Sequence, residues 1–243
     1  MAVKLISTRE ASKLHGIKVT VFGNAGSGKT MLCSTTGAPT VILSAEAGLL
    51  SLRHFDIPVI EVKSMEDVVD AYNFLLSSNE STQFEWICLD SISEIAEVVL
   101  AAEKKISKDP RQAYGALQER MYELIRAFRD LPEKNVYFSA KMAVEKIDIM
   151  ETRTSGAVTT NVVVGSKQVF APSLPGTKLG QALPYFTDLI FALRVEQDED
   201  GNPTRWLQTQ PDDQYVCKDR SGCLDRFVEP NLAAIAAKIM QSN

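Results

Sequence analysis

The sequence feature that most constrains the fold is a glycine-rich octapeptide, GNAGSGKT, at residues 23–30. It follows an apolar, β-branched run at 17–22, which predicts a strand, and it precedes a predicted helix at about 28–35. Glycines let successive backbone N–H groups turn inward and form a concave site for an anion. The octapeptide is a complete Walker A pattern in its strand–loop–helix context, so it predicts a phosphate-binding loop, or P-loop.

The residue types of this loop predict a nucleoside triphosphate, ATP, and Mg²⁺ as its ligands. Lys29 is expected to reach the β and γ phosphates, and the Thr30 hydroxyl is expected to ligate Mg²⁺. The predicted nucleotide-binding set is Gly23, Asn24, Ala25, Gly26, Ser27, Gly28, Lys29, Thr30 and Met31.

A second signal is WICLD at residues 86–90, an apolar strand that ends in an acid. The carboxyl ends of parallel strands meet at one edge of a sheet, so Asp90 is expected to lie beside the P-loop. We predict that Asp90 holds Mg²⁺ together with Thr30, directly or through water.

Hydrolysis also requires a group that orients or deprotonates water. Glu46 follows the strand TVILSA, and we expect the strand beside the P-loop strand to deliver its end to the γ-phosphate. An ordinary loop acid is the alternative for Glu46, and a solvent-facing helix position is the simpler interpretation of Glu94. Lys141 follows the strand NVYFSA, where it either senses the γ-phosphate or ends a solvated strand. Glu46, Lys29 and Lys141 are therefore the candidate catalytic residues.

Alternating strands and helices predict a mostly parallel α/β sheet with helices on both faces. The predicted strands are 17–22, 40–44, 59–62, 86–89 and 135–139, and the predicted helices are 28–35, 64–76, 92–106, 114–131 and 230–240. After residue 142 the chain becomes rich in Val, Thr and Gly, and 189–195 and 205–209 flank a turn-rich DEDGNP, which predicts a hairpin. A chain of 243 residues is compatible with one domain over 1–243, with an N-terminal segment at 1–16.

The composition limits the cellular compartments and the kinds of partner that are expected for this chain. No apolar run is long enough to span a membrane, and charges interrupt the first 16 residues, so a cytoplasmic protein without a membrane partner is expected. The four cysteines fit that compartment as thiols, and a zinc site at Cys217 and Cys223 is the weaker alternative. The net charge of −5 means that any nucleic-acid binding needs a local basic strip or several subunits side by side.

Four ordered segments resemble the RecA-type ATPases, and most of all the short, core-only proteins of bacteriophages described as nucleotide-binding proteins or single-strand annealing recombinases. The segments are GNAGSGKT, VILSAEAG at 41–48, WICLDS, and LGQALPYFTDLIFALRV at 179–195, and the stretch at 114–142 is also similar. The resemblance implies a RecA-like P-loop fold with a β-rich C-terminal part, located in a bacterial host cell if phage-encoded. It also implies that Glu46 activates water. Lys141 stands near the position where RecA proteins have a glutamine that couples nucleotide to DNA.

The same resemblance implies that single-stranded DNA meets loops after the central strands, here at 143–182. The candidate DNA contacts are Lys146, Arg153, Lys167 and Lys178. From the residues alone, an exposed hairpin with ordinary surface lysines is the preferred interpretation.

The function that the resemblance implies is that of a slowly hydrolysing ATPase that binds single-stranded DNA and promotes annealing or strand pairing. Self-association into a ring or filament and contact with a single-strand binding protein are the expected interactions. Two alternatives stay open: an ATP-dependent adaptor or loader of a replication protein, and a P-loop small-molecule kinase.

Overall fold

The computed structural model describes residues 5–8, 10, 15–46, 48–155 and 158–241. Its strands are β1 (Lys18–Gly23), β2 (Thr40–Ser44), β3 (Val59–Glu61), β4 (Trp86–Asp90), β5 (Asn135–Ser155), β6 (Val158–Ser173), β7 (Leu189–Gln197), β8 (Pro203–Gln208), β9 (Lys218–Asp219) and β10 (Phe227–Val228). Its α-helices are α1 (Met65–Ser77), α2 (Ile92–Ile106), α3 (Pro110–Arg129), α4 (Thr177–Phe186) and α5 (Leu232–Gln241). Short 3-10 helices cover Thr30–Thr35, Leu49–Leu52 and Asn79–Gln83. Among the described residues, no helix is long and apolar enough to cross a lipid bilayer.

Within the described residues the strands form one ten-stranded sheet in the order β10-β8-β7-β1-β5-β4-β2-β3. The strands from β7 to β3 pair in parallel, whereas β8, β10 and β9 add antiparallel strands on the β7 side. β6 pairs antiparallel with the outer part of β5. This mostly parallel sheet with antiparallel C-terminal additions confirms the predicted α/β class.

Two buried apolar clusters cover the two faces of the sheet. One combines side chains from α1 to α4, such as Val68, Ile95, Leu117 and Leu183. The other combines the 3-10 helix at Thr30–Thr35 and α5 with the opposite face. Strands β1, β2 and β4 are buried along their whole length and consist mainly of apolar residues, as expected for strands covered on both sides.

Local capping signals set the starts of the helices. Ser64 Oγ accepts from Asp67 N at 3.1 Å and the Asp67 carboxylate accepts from Ser64 N at 2.8 Å, which is the capping box expected for α1. Helix α3 begins at Pro110, earlier than the predicted 114, because Asp109 caps it and proline fits the first helical turn.

The helix predicted at 28–35 is a 3-10 helix over Thr30–Thr35. Its sequence, TMLCST, contains three hydroxyl residues, and Ser34 Oγ and Thr35 Oγ1 each donate to the carbonyl three residues earlier, at 2.8 Å. Such back-bonding competes with α-helical hydrogen bonds, and Gly37, with φ +66°, follows closely after the segment.

The segment predicted as flexible loops at 143–182 is regular structure instead. β5 continues beyond the sheet to Ser155 and pairs with β6, with a register shift between Ile149 and Met150. All described side chains from Lys146 to Ser166 are exposed, so this β5–β6 hairpin projects into solvent. Its β-branched residues favour strand pairing over loop structure, and helix α4 accounts for the end of the segment.

The hairpin predicted around DEDGNP is confirmed as β7 and β8. Asp198 accepts from the backbone N–H of Asp200 and Asn202, and Gly201 takes the left-handed conformation that the turn requires. In this β7–β8 hairpin, Arg205 lies opposite Val195.

Candidate nucleotide-binding site

The P-loop leaves the carboxyl end of β1 and turns through two glycines with positive φ. Gly26 has φ +74° and Gly28 has φ +110°, both in the region that favours glycine. A hydrogen bond from Ser27 N to Asn24 O, 3.2 Å long, closes the turn. The buried Ser27 hydroxyl has no hydrogen-bond partner in the described part of the chain, so the loop holds a donor that suits an anionic ligand.

Lys29 lies across the loop. Its Nζ donates to the carbonyl oxygens of Gly23 and Asn24, each at 2.9 Å. Burial lowers the pKa of Lys29, while the charges of Glu46 and Asp90 act in the opposite direction. Lys29, Glu46 and Asp90 line the same cavity, where phosphate oxygens would be added partners of the ammonium.

Asp90 lies at the end of β4 and contacts two hydroxyls. Thr30 Oγ1 donates to Asp90 Oδ2 at 2.7 Å, and Ser139 Oγ donates to Oδ1 of the same carboxylate. Burial raises the pKa of Asp90, and the hydrogen bonds from Ser139 and Thr30 lower it. Ser139 lies on β5, which separates β1 from β4, and sequence reasoning did not identify it because its position depends on the strand order.

This donor set suits Mg²⁺. One hydroxyl and one carboxylate, completed by phosphate oxygens and water, is the kind of site that Mg²⁺ takes beside a nucleotide. The described residues contain no cluster of three or more His, Cys, Asp or Glu side chains that would form a protein-only metal site. Thr30 and Asp90 are thus the groups that would hold the ion.

Glu46 reaches the site by a different path from the one predicted. The expectation that its strand lies beside the P-loop strand is wrong, because β5 and β4 lie between β1 and β2. All these strands end at the same edge, and Ala45 N donates to Asp90 O at 2.9 Å, which brings the following residue across Asp90. Ser91 Oγ donates to Glu46 Oε1 and orients its carboxylate toward the shared cavity.

Lys141 lies next to the P-loop in the sheet, since it pairs in register with Gly23. Its Nζ is 2.6 Å from Glu94 Oε2, and this carboxylate raises the pKa of Lys141. Glu94, which the sequence suggested to be solvent-facing, is therefore an ion-pair partner of the Lys141 side chain. Both predicted roles of Lys141, γ-phosphate sensor and strand end, stay predictions.

Tyr137 supports the P-loop from below. It is fully buried on β5, and its hydroxyl donates to the Lys29 carbonyl at 2.8 Å. Burial raises its pKa well above the usual range, so the tyrosine is a neutral donor. The apolar run NVYFSA predicted the strand, but nothing local indicated that its tyrosine would brace the loop.

The P-loop, Glu46 and Asp90 line one cavity of about 720 Å³, within the size range of small-molecule sites. Three residues from distant parts of the chain complete its wall: Leu193 from β7, Arg205 from β8 and Pro230 from the segment before α5. The polar side chains that line the cavity include Lys29, Thr30, Glu46, Asp90 and Arg205, and Pro230 lines it from the C-terminal segment.

The structure does not bring the four candidate DNA contacts together. Lys146 is opposite Gln168, and Lys167 is opposite Ile147, so these two lysines alternate to opposite faces of the β5–β6 hairpin. Arg153 pairs with Glu151 at 2.9 Å and Lys167 with Asp213 at 3.2 Å. Lys178 is exposed on α4, a helix that lies beside the base of the β5–β6 hairpin and outside its two strands.

The fold and the site together define an α/β protein of the P-loop class: the P-loop follows β1, and one strand separates β1 from the strand that ends in Asp90. More particularly, the model of the AAA domain family matches residues 15–221, so the chain belongs to that family.

Two solved structures are similar in fold. One is a KaiC-like protein from the hyperthermophilic archaeon Pyrococcus horikoshii OT3, with a TM-score of 0.46, 12% identity and 84% of each chain covered. The other is the flagellar accessory protein FlaH from Methanocaldococcus jannaschii, with a TM-score of 0.45, 11% identity, and coverage of 90% of this chain and 88% of FlaH. No curated protein sequence matches this chain significantly.

Proposed function

We propose that this chain is an ATP-dependent single-strand DNA-binding protein that promotes annealing or strand pairing, of the type found in bacteriophage recombination. The observation that carries the proposal is the direct attachment of the projecting β5–β6 hairpin to the nucleotide site. An element joined to a phosphate-binding site is able to change position with nucleotide state.

Ser93 makes that attachment. It lies three residues after Asp90, and its Oγ donates to Ser173 O at 2.6 Å and accepts from Lys141 N at 2.9 Å. Lys141 and Ser173 are the first residue pair of the β5–β6 hairpin. The Lys141–Glu94 ion pair adds a second link between α2 and the hairpin base. In this proposal a displacement of Asp90 moves Ser93 through the short stretch of backbone between them, and the hydrogen bonds of Ser93 pass the movement to both strands.

The hairpin surface combines cations with apolar side chains. Lys146 is an exposed cation for which no ion pair is found within the described residues, and Lys178 lies near the hairpin base in sequence. Seven apolar side chains are 38–55% exposed: Val144, Ile147, Ile149, Met150, Val162, Val163 and Val164. Lysines contact phosphates, and apolar side chains contact bases, which makes this surface suited to an unpaired strand.

Charge balance makes self-association part of the proposal. Between residues 143 and 172 the three cations Lys146, Arg153 and Lys167 are matched by Glu145, Asp148 and Glu151. A single hairpin thus attracts DNA weakly. A ring or filament repeats the contacts along one strand and yields salt-sensitive binding from an acidic protein.

The site residues divide the work of hydrolysis in the proposal. The backbone N–H groups of the P-loop and Lys29 bind the triphosphate. Thr30 and Asp90 would hold Mg²⁺, which would neutralise phosphate charge. Ser91 orients Glu46, and the Glu46 carboxylate accepts a proton from the attacking water. Lys141 is a cation beside the loop that adds charge stabilisation.

The test is anisotropy of a fluorescent single-stranded oligonucleotide with and without Mg-ATP. Wild type is expected to bind more tightly with Mg-ATP, Lys29→Ala to lose this ATP effect, and Lys146→Glu to weaken binding. Lys105→Glu, the same charge change at an exposed site on α2, is the control and should behave as wild type. Absence of binding in every nucleotide state at moderate salt would refute the DNA proposal. Equal losses of affinity in Lys146→Glu and in the control Lys105→Glu would also refute it.

A second function is favoured by one observation. Apolar side chains are exposed on both faces of a hairpin with balanced charge, and such a surface also fits a protein partner. In that case the chain is an ATP-dependent adaptor or loader, whose P-loop controls docking of a replication protein. Two results together would distinguish this function from DNA binding. Nucleotide binding would be the same with and without DNA, and Val163→Asp would lose binding to the replication protein.

A further inference from the structure

Arg205 approaches the P-loop from the C-terminal β7–β8 hairpin. Its Nε donates to Ser27 O at 3.0 Å. It also lies against Gly28, where an added Cβ would be 3.5 Å from the Nε and 3.6 Å from the Cδ of Arg205. The guanidinium is therefore in contact with the backbone of the phosphate-binding loop of its own chain.

Among the described residues, Arg205 forms no ion pair with an Asp or Glu carboxylate, whereas Arg194 pairs with Glu196 and Arg226 with Asp212. Arg205 is exposed and lines the same cavity as Lys29 and Thr30. An exposed, unmatched arginine at the mouth of an anion site is a candidate ligand for that anion.

The geometry accounts for the choice of residue. The bond from Nε to Ser27 O uses one of the five donors of the guanidinium. No hydrogen bond from its two terminal nitrogens is found among the described residues, so these donors are available to a ligand. A guanidinium offers paired donors that match two phosphate oxygens. Lys29 Nζ lies against carbonyl oxygens of the loop, and Arg205 contacts the loop at Ser27 and Gly28.

We propose that Arg205 binds the phosphate chain of the nucleotide held by its own P-loop, as a cis-acting phosphate ligand supplied by the β7–β8 hairpin. The proposal rests on nucleotide binding at this P-loop and not on DNA binding. A purely structural brace is the competing explanation, because the bond to Ser27 O by itself ties β8 to the loop.

Calorimetry of Mg-ATP binding at several salt concentrations separates the two. Arg205→Gln is expected to weaken Mg-ATP about 10- to 100-fold, the range for a lost hydrogen bond to a charged group. It should also flatten the dependence of affinity on salt, whereas Arg205→Lys, which keeps the charge, should retain the wild-type slope and part of the affinity. Inorganic tripolyphosphate should show the same losses as ATP, since it has no base or ribose.

A brace without phosphate contact would give equal losses in both variants and an unchanged salt slope, and that result overturns the proposal. An affinity within twofold of wild type in Arg205→Gln also overturns it. Arg111→Gln, at an exposed position on α3, is the matched control. Trp206 is adjacent to Arg205 and 38% exposed, so its emission reports whether β8 remains folded. If Arg205→Gln unfolds, the affinity and the salt slope of Arg205→Lys decide between the phosphate ligand and the structural brace. Failure of wild type to bind Mg-ATP would refute the nucleotide site itself, a result distinct from normal binding by the variant.

Discussion

Ser139→Ala tests the hydrogen bonding of the site, because it removes a hydroxyl that donates to one oxygen of the buried Asp90 carboxylate. Ser139 is fully buried, Asp90 is 3% exposed, and Ser139 Oγ donates to Asp90 Oδ1. A hydrogen bond to a charged group contributes about 1.5–3 kcal/mol, and its loss leaves a buried charge with fewer donors. We therefore expect the free energy of unfolding at pH 7 to fall by about 1.5–3 kcal/mol, or roughly 3–12 °C in Tm at ~2–4 °C per kcal/mol.

The pH dependence gives this prediction its sign. Burial raises the pKa of Asp90, and Ser139 and Thr30 lower it, so Ser139→Ala raises this pKa further. Folded Asp90 then holds its proton to a higher pH than unfolded Asp90, and stability is lost as pH rises through that interval. The deficit of the variant should be complete above the folded pKa and should disappear below the unfolded pKa.

Urea unfolding of wild type and variant between pH 4 and 8 measures this deficit. Ser77→Ala is the control, because it removes the same hydroxyl from an exposed helix position where Ser77 Oγ donates to Asn73 O. It should cost less than about 0.5 kcal/mol. A Ser139→Ala deficit under about 0.5 kcal/mol at pH 7, or one that stays constant with pH, would show that the serine only fills space.

Two further predictions address the water-orienting acid and the buried amine at the opposite edge of the sheet. Glu46→Gln keeps the shape and the contact with Ser91 but removes the base, so ATP hydrolysis should fall about 10²–10⁴-fold with Mg-ATP affinity within about threefold, measured by phosphate release and calorimetry. Unchanged turnover, or the same loss in the exposed control Glu66→Gln, would contradict this role. Burial lowers the pKa of Lys18 from 10.5 to about 8. The unfolded state therefore binds more protons between these values, and stability should rise with pH across that window in wild type but not in Lys18→Met, as followed by urea unfolding. Parallel curves for the two proteins would rule out Lys18 as the source.

Local signals in the sequence were sufficient for several parts of the molecule. The P-loop was predicted because its glycines and Lys29 act within eight consecutive residues, and α1 because its capping box needs only Ser64 and Asp67. The bounds of α2 also agree, since its apolar residues recur at helical spacing. These features depend on residues that are close in sequence, so a local sequence pattern is enough to predict them.

Nonlocal packing decided the rest. The order β7-β1-β5-β4-β2 places a strand between the P-loop strand and the Asp90 strand, which the sequence does not encode in any spacing. That order brings Ser139 to Asp90 and Tyr137 to the Lys29 carbonyl.

The β7–β8 hairpin was predicted from its turn, yet its contact with the P-loop was not, because strand pairing brings Arg205 to residues far away in sequence. The sequence by itself determined that the chain contains a P-loop and which residues form it. Only the tertiary structure decided which distant side chains complete the site, since the free energy of those contacts comes from burial between elements rather than from any single segment.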